Sequence, residues 1–597
     1  MGKKTRLVIV PALMVSAACT WGARSFASDP GGPNAAPNAP EPSTLDIYRD
    51  WPLRVDRSNG PLEACFAPGT PTEVVKYVSD IVHVPPNGER YQLTGRWSPG
   101  AAGTPYSLTW SFVPDGLTIS SGVGELESPS TLFATMDAKF ATQGGRATWI
   151  SRFEQIFARW SAVSGLTYTR ITVGGNDWDD GAAWGSDFLA GQRGHLRISS
   201  HLIDGGNNVL AYNYFPQNGD MVIDSAENWG NQNNQNRFMR NILAHEHGHG
   251  MGLAHVCPAI GNILMEPFLT TEFDGPRHDD VRAANRQYGD VSGANSNAAG
   301  ARLLTPANPG TTNYGAIPAP ISGTSPDETT ILSIDQNGEA DWYKITVATQ
   351  RVISVVAIPH GQSYQSCSQD NDCVPETCGS TTDSLNLADL RITVLNTNGV
   401  SVLGTANDNG VGVSESLNNV TLPSAGTYFV RIDEVNAPTG SQMYEFSVTL
   451  AAPCMAPDIL PIPTQYASCG LNFSYTPSAT GETPPYLWTL FNGPPGMMIN
   501  SSTGEITWPD PDPSMSPYSA AVLAAAICGA GADLEEITVS VGYADFAPDG
   551  VITAADIPGM VARLLDGSLA AQDCSADLNT NGIVDGEDIA VFLDQLL

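Results

Sequence analysis

The run His245 to His255, HEHGHGMGLAH, constrains this chain more tightly than any other stretch of its 597 residues. It closes an amphipathic segment, QNRFMRNILAHEHGHG, in which Phe238, Ile242, His245 and His249 recur at helical spacing. On an α-helix, positions i and i+4 lie one above the other, so His245 and His249 can aim two imidazole nitrogens at one point. Glu246 then stands beside that point without occupying it. Gly252 lets the chain leave the helix in a conformation that a Cβ disfavours, and the turn brings His255 round as a third ligand. Three nitrogen ligands and one open position are the donor set of a catalytic zinc. Water held there becomes acidic, and Glu246 is placed to take its proton and deliver it to a departing amine. A bare HExxH arises by chance. The full HExxHxxGxxH after a helical pattern, with Asn-Ile-Leu-Met265-Glu-Pro downstream, is far more specific. His247, on another face of the helix, and His278 are expected to be exposed.

HEHGHGMGLAH matches the matrixin pattern HExGHxxGLxH at every fixed position, so this region resembles the matrixins, a branch of the metzincins. The resemblance implies one catalytic zinc held by His245, His249 and His255, with Glu246 catalytic and Met265 the Met-turn residue beneath the metal. It extends upstream, where LTWSFVPD resembles the family's first strand and FEQIFARWSAVSGLTYTRI its first helix and exit. IDGGNNVLAYNYFPQNGDMVIDSAENW resembles the long loop region, and HDDVRAANRQYG the closing helix. Departures matter as well. Where matrixins place histidines for a second, structural zinc, this chain has Tyr212 and Val222, so that site is expected to be missing. Asp204, Asp224 and Glu227 align with the family's calcium-binding acids, although a rival reading makes them ordinary turn and cap residues. The family's latency cysteine sits in PRCGxPD, whereas Cys65 sits in EACFAPGT. A zinc-bound thiol, a disulfide and an idle thiol are all open for Cys65, and the last two fit this context better.

The chain is too long for one hydrophobic core and should divide into roughly four or five units. Residues 1–27 combine Lys3, Lys4 and Arg6 with an apolar stretch and small residues, which describes a secretory signal peptide. Residues 28–87 read as a linker or propeptide, 88–290 as an α+β matrixin-like catalytic domain, and 291–317 as a linker. Residues 318–450 and 453–541 carry short strand patterns bounded by turn residues, the mark of two all-β sandwich domains. DWYKI and GTYFVRI make the first similar to bacterial pre-peptidase C-terminal domains, and GPPGMMINSSTGEITW makes the second similar to bacterial Ig-like domains. Both read equally well as ligandless spacers. Nine cysteines remain beyond the leader in an export context, so disulfides are expected, with Cys367, Cys373 and Cys378 stapling a loop.

Residues 542–597 form a small α-helical unit. Asp577, Asn579, Asn581, Asp585 and Asp588 place oxygens at positions 1, 3, 5, 9 and 12 of a calcium loop, with Gly582 at the tight turn. A second copy supplies Asp545, Asp549 and Asp556, with Ala547 replacing one ligand. The paired loops resemble a type I dockerin, which implies calcium binding and a cohesin-like partner; a calcium-stabilised cap is the plainer reading. Acids outnumber bases 62 to 28, for a formal charge of −34, a field that repels nucleic acid and anionic membranes. No segment after the leader is apolar enough to span a bilayer. The expectation is a secreted, extracellular or cell-surface zinc and calcium metalloendopeptidase acting on proteins or peptides. The alternative is a non-catalytic extracellular binding or scaffold protein with a residual metal site. Retention of Glu246 favours the enzyme, because a degenerate site can lose its base and keep its ligands.

Overall fold

A computed structural model describes residues 47–597 apart from 83–90, 324–329, 368–372, 374–377, 437–439, 482–484, 528–530 and 567–573. The signal-peptide segment and Cys528 lie outside the described residues. Among the described residues, no helix is long and apolar enough to cross a membrane.

The N-terminal half is built on one six-stranded sheet. Its strands are β1 (Leu62–Phe66), β2 (Tyr106–Phe112), β3 (Leu166–Arg170), β4 (Leu196–His201), β5 (Val209–Tyr214) and β6 (Met221–Asp224). They lie in the order β1-β5-β6-β4-β2-β3. β3, β2, β4 and β6 run parallel, while β5 is antiparallel to β6 and to β1. β4, β5 and β6 are buried throughout, which explains their continuous apolar runs in place of alternation. Helix α1 (Arg146–Ser161) turns Trp149, Phe153, Ile156, Phe157 and Trp160 to the sheet. There the Trp110 and Phe157 rings meet at 4.8 Å, and Phe112 meets Phe153 at 5.1 Å. Helix α2 (Arg237–Gly250) carries the histidine pattern and is buried along nearly its whole length. It is pinned to α1 where the Trp160 indole donates to the Ala244 carbonyl at 3.2 Å. Helix α3 (His278–Tyr288) closes this half: the Asp280 carboxylate accepts the Arg277 amide, and the Tyr288 hydroxyl donates to the Met251 carbonyl.

Two expected boundaries do not coincide with breaks in the structure. Residues 28–87 were expected to lie outside the catalytic unit, yet Leu62–Phe66 forms the edge of its sheet. The expected linker 291–317 supplies Arg302–Leu304 and Gly310–Tyr314, which join the two sheets that follow. All three strands are too short for a period-2 pattern to stand out, and all three sit among Pro, Asn and Gly, so tertiary pairing decides their conformation.

The C-terminal half is largely β. One core, around Tyr343, Ile345, Val355, Ile392, Val430 and Phe446, is shared by two five-stranded sheets. Their longest members, Arg351–His360 and Gln442–Ala451, pair antiparallel. A second core holds Trp488, Ile506, Trp508, Val522 and Ile537 between a four-stranded and a three-stranded sheet. The chain ends in two loops, each running into a helix, Ile557–Leu565 and Gly586–Leu596, over a small core of Ala544, Met560, Ala576 and Phe592.

Disulfides cross between these parts. Cys257, just after the third histidine, pairs with Cys373, and Cys469 pairs with Cys574. Cys373 therefore staples the β half to the histidine loop, so the expected loop staple of Cys367, Cys373 and Cys378 does not hold for Cys373. The Cys257–Cys373 bond spans 116 residues. Replacing Cys257 with Ser should cost about 2–5 kcal/mol, read as a lower denaturant midpoint under non-reducing conditions.

Candidate active site

The two candidate ligands on the helix are each held by the distal nitrogen. His245 Nδ1 lies 2.7 Å from the Leu264 carbonyl, and His249 Nδ1 lies 2.7 Å from that of Leu253. A proton committed to Nδ1 leaves Nε2 with its lone pair free. Those Nε2 atoms converge: His249 is 3.0 Å and His255 3.1 Å from His245. Burial, together with the charges the other two rings would carry, holds His249 well below the ordinary imidazole range, so the ring stays neutral. Three buried imidazoles with convergent nitrogens suit a zinc ion, and the three form a candidate metal cluster. The helix delivers two of them. The third depends on Gly252, whose φ of 99° lies in the left-handed region, where a Cβ would sit 1.8 Å from the Gly95 carbonyl oxygen.

Glu246 is fully buried beside the cluster. Burial raises its pKa well above the ordinary carboxyl value; the Cys65 peptide N–H facing it acts in the opposite direction, and the nearby Glu63 charge adds to the rise. Met265 lies under the helix, so close that a Cβ at Gly248 would fall 2.2 Å from its sulfur. Its turn is held from α3: Asp280 accepts the Leu264 amide at 3.0 Å and the Met265 amide at 3.1 Å. The Val256 amide in turn donates to the Met265 carbonyl at 2.9 Å, which ties the turn to the histidine loop.

Two histidines expected at the surface are buried instead. His247 is covered by α1 and β3, with its Nε2 2.6 Å from the Tyr168 hydroxyl and its ring 5.0 Å from that of Phe157. Desolvation lowers its pKa to about 3. His278 is enclosed by the β half, 3.2 Å from the Ser384 hydroxyl. A single helix face, read alone, does not reveal that both sides of a helix are packed.

Asp204, Asp224 and Glu227 come together around the loop from Ile203 to Val209. Asp224 accepts the amides of Asp204 and Gly205 at 3.0 Å, Glu227 that of Asn207 at 2.5 Å, and Asp204 the Tyr48 hydroxyl at 2.8 Å. Burial, reinforced by its two acidic neighbours, pushes Asp204 up to about 7. Tyr212 and Val222 face each other across β5 and β6. The Tyr212 hydroxyl donates to Glu125 at 2.7 Å, and the same carboxylate accepts three successive amides, from Gly122 to Gly124, and approaches His201 at 3.1 Å. This buried node had no signal in the sequence, because Glu125 is an isolated acid in a loop. Cys65 is a free, buried thiol.

The two C-terminal loops repeat one geometry. Asp545 accepts the amides of Asp549 and Gly550, and Asp577 those of Asn581 and Gly582. Asp556 reaches back to the Ala547 and Thr553 amides, and Asp588 to those of Asn579 and Asp585. Gly550 and Gly582 take φ values of 92° and 87°, as the tight turn requires. Asp585 caps its helix through the Glu587 amide at 2.8 Å.

With this geometry in place, residues 136–289 match the family model described as Matrixin, and they form a matrixin domain. Curated relatives agree over the same part of the chain. Stromelysin-3 of Mus musculus is 32% identical over 136 residues, 22% of this chain and 25% of the relative. The neutrophil collagenase of Homo sapiens is 34% identical over 140 residues, 22% and 27%. The hatching enzyme of Paracentrotus lividus is 30% identical over 152 residues, 23% and 22%. The chain thus spans about a quarter of the length of these relatives.

Two substitutions test the scaffold of the site. Gly252→Ala must move the backbone against Gly95, with an expected cost of about 1–3 kcal/mol and weaker zinc binding in a chelator competition. Asp280→Ala leaves the Leu264 and Met265 amides unpaired, with a loss of about 1–3 kcal/mol in thermal or denaturant unfolding.

Proposed function

We propose that this protein is a zinc-dependent endopeptidase in which His245, His249 and His255 hold the metal and Glu246 moves the proton. The convergence of three Nε2 atoms beside a buried carboxylate carries this reading, and the matrixin match over residues 136–289 supports it. When bound, zinc supplies a Lewis acid that polarises a peptide carbonyl and acidifies water. The chain's own residues do the rest. The Leu264 and Leu253 carbonyls fix the histidine tautomers. Burial keeps Glu246 basic enough to accept a proton at its carboxylate and to return it to the leaving amine. Met265, packed against Gly248, gives the histidine cluster a floor of fixed shape.

The role of the remaining chain follows from its recurring loops. Asp545, Asp549 and Asp556 in one loop, and Asp577, Asn579, Asn581, Asp585 and Asp588 in the other, are proposed calcium ligands of a dockerin-like unit that binds a cohesin-like protein. The repeated hydrogen-bond pattern supports this. Asp204, Asp224 and Glu227 are proposed as a further calcium site, on the strength of their gathering around one loop. The two β units between are proposed as sandwich modules, the first pre-peptidase C-terminal-like and the second Ig-like, in a secreted protein.

Glu246→Gln should retain zinc, measured by atomic emission, and lose about 10²–10⁴-fold in cleavage of a peptide library, assayed before and after limited proteolysis. Retained cleavage would sink the assignment. Calcium at about 100 times its dissociation constant should stabilise the C-terminal loops by about 2.7 kcal/mol, seen as slower amide exchange over residues 545–588 and lost with chelator.

A further inference from the structure

The β unit built around Tyr343, Val355 and Val430 meets the N-terminal half through a buried seam. Its strand Gln442–Ala451 alternates between two cores: Tyr444, Phe446, Val448 and Leu450 lie in the unit's own, while Met443, with 0% exposure, lies in the core of the N-terminal half. Tyr364 joins Met443 there. The polar groups around them are paired across the seam. The Arg282 guanidinium donates to the Ser441 carbonyl at 3.0 Å, the Ser441 hydroxyl donates to the Arg282 carbonyl at 3.1 Å, and His278 Nε2 lies 3.2 Å from the Ser384 hydroxyl. Units joined by a linker alone move relative to one another unless their interface is large and apolar. Here, parting the surfaces would bring Met443 into water and break both Arg282–Ser441 hydrogen bonds.

The seam falls on the pieces of chain that carry or brace the histidines. α3, which presents His278 and Arg282 to the β unit, also presents Asp280, whose carboxylate holds the Leu264 amide at 3.0 Å; the Leu264 carbonyl in turn faces His245 Nδ1. Cys257, just after His255, is bonded to Cys373 of the β unit. The first turn of α2 is reached by the segment that enters the unit: the Arg240 guanidinium donates to the Ser322 hydroxyl at 3.0 Å, and Asp274, paired with Arg240 at 2.5 Å, accepts the Ser322 amide at 2.6 Å. Each of these contacts stops short of the histidine nitrogens, yet each fixes a segment on which one of them depends.

We infer that this β unit is a working part of the metal centre, with Cys373, Ser384, Ser441 and Met443 as positioning residues that hold α3 and the His255 loop, and through them His245 and His255. The inference rests on the reading of the three histidines as a zinc site. It adds that the strength of metal binding depends on side chains outside the region of residues 136–289 that matches the matrixin model. Partners that fix the orientation of a ligand change metal affinity by about 10–100-fold when removed.

The test uses the full chain loaded with zinc, or with cobalt as a coloured replacement. Zinc affinity is read by chelator competition and ligand geometry by the visible cobalt bands, both at a temperature where every variant is folded. Met443→Ala, and separately the double variant Cys257→Ala with Cys373→Ala, should hold zinc about 10–100-fold more weakly and shift the cobalt bands. Met443→Leu, which nearly conserves volume, should restore both readings. Val430→Ala is the control: Val430 is buried in the β unit's own core, so this variant loses stability but should keep the wild-type affinity and bands. If Met443→Ala and the double cysteine variant bind zinc no more weakly than Val430→Ala, the inference is wrong. Wild-type protein that takes up neither metal would defeat the zinc reading and the inference with it, whereas metal held equally by wild type and variants would defeat the inference alone. Weaker binding in the variants of a protein that cleaves no peptide would uphold the inference and defeat the peptidase reading. Should circular dichroism show that Met443→Ala does not fold, Ser384→Ala takes its place with the same expectation.

Discussion

The hydrogen bonds from the imidazole Nδ1 atoms to the Leu264 and Leu253 carbonyls are what the rest of the N-terminal half is arranged to preserve. A histidine can present either nitrogen, and only a fixed partner on one of them commits the other to a metal. Both acceptors are backbone carbonyls in irregular segments, so their positions depend on what holds those segments. For Leu264 that is Asp280 of α3, and for Leu253 it is the exit at Gly252 and the pairing of Leu253–Ala254 with Gln92–Leu93. The closing helix and the strand before β2 thus act on the ligands without touching them.

Much of this site was legible in the sequence because the chemistry is local. His245, Glu246 and His249 need only a helix, and His255 needs only a glycine at the right place. What was not legible lies in partners far along the chain. Glu63 belongs to a five-residue strand buried on both sides, bounded by turn residues but without the alternation that would announce it. Its neighbours His249 and His255 are almost two hundred positions away, by number alone. Glu125 is in the same position for two of its partners: His201 and Tyr212 reach it only when the loop, β4 and β5 are assembled. His247 and His278 failed in the opposite direction, since a polar residue off the apolar stripe of a helix is expected in water unless other elements cover it.

The β half shows the same division. Arg351–His360 is a long apolar run that buries Ile353, Val355 and Ala357 on one face, and Gly426–Glu434 shows its period directly, with Tyr428, Val430 and Ile432 buried. Arg302–Leu304 and Gly310–Tyr314 do not, because a three- or five-residue strand has too few positions to display a period. The duplicated loops near the C-terminus were readable for a different reason. Each is a run of acids that closes on backbone amides within ten positions, so its spacing alone displays it.

The Cys469–Cys574 bond carries a mechanical consequence. It joins the Trp508-containing unit to the loop bearing the second acidic repeat, across 105 residues. A load entering at Cys574 would pass through sulfur to Cys469, at the end of the Gln465–Ser468 strand of the four-stranded sheet, and would bypass the residues between the two cysteines, Met560 among them. The start of the second acidic loop is thereby bolted to the sheet, whatever becomes of the first loop and its helix.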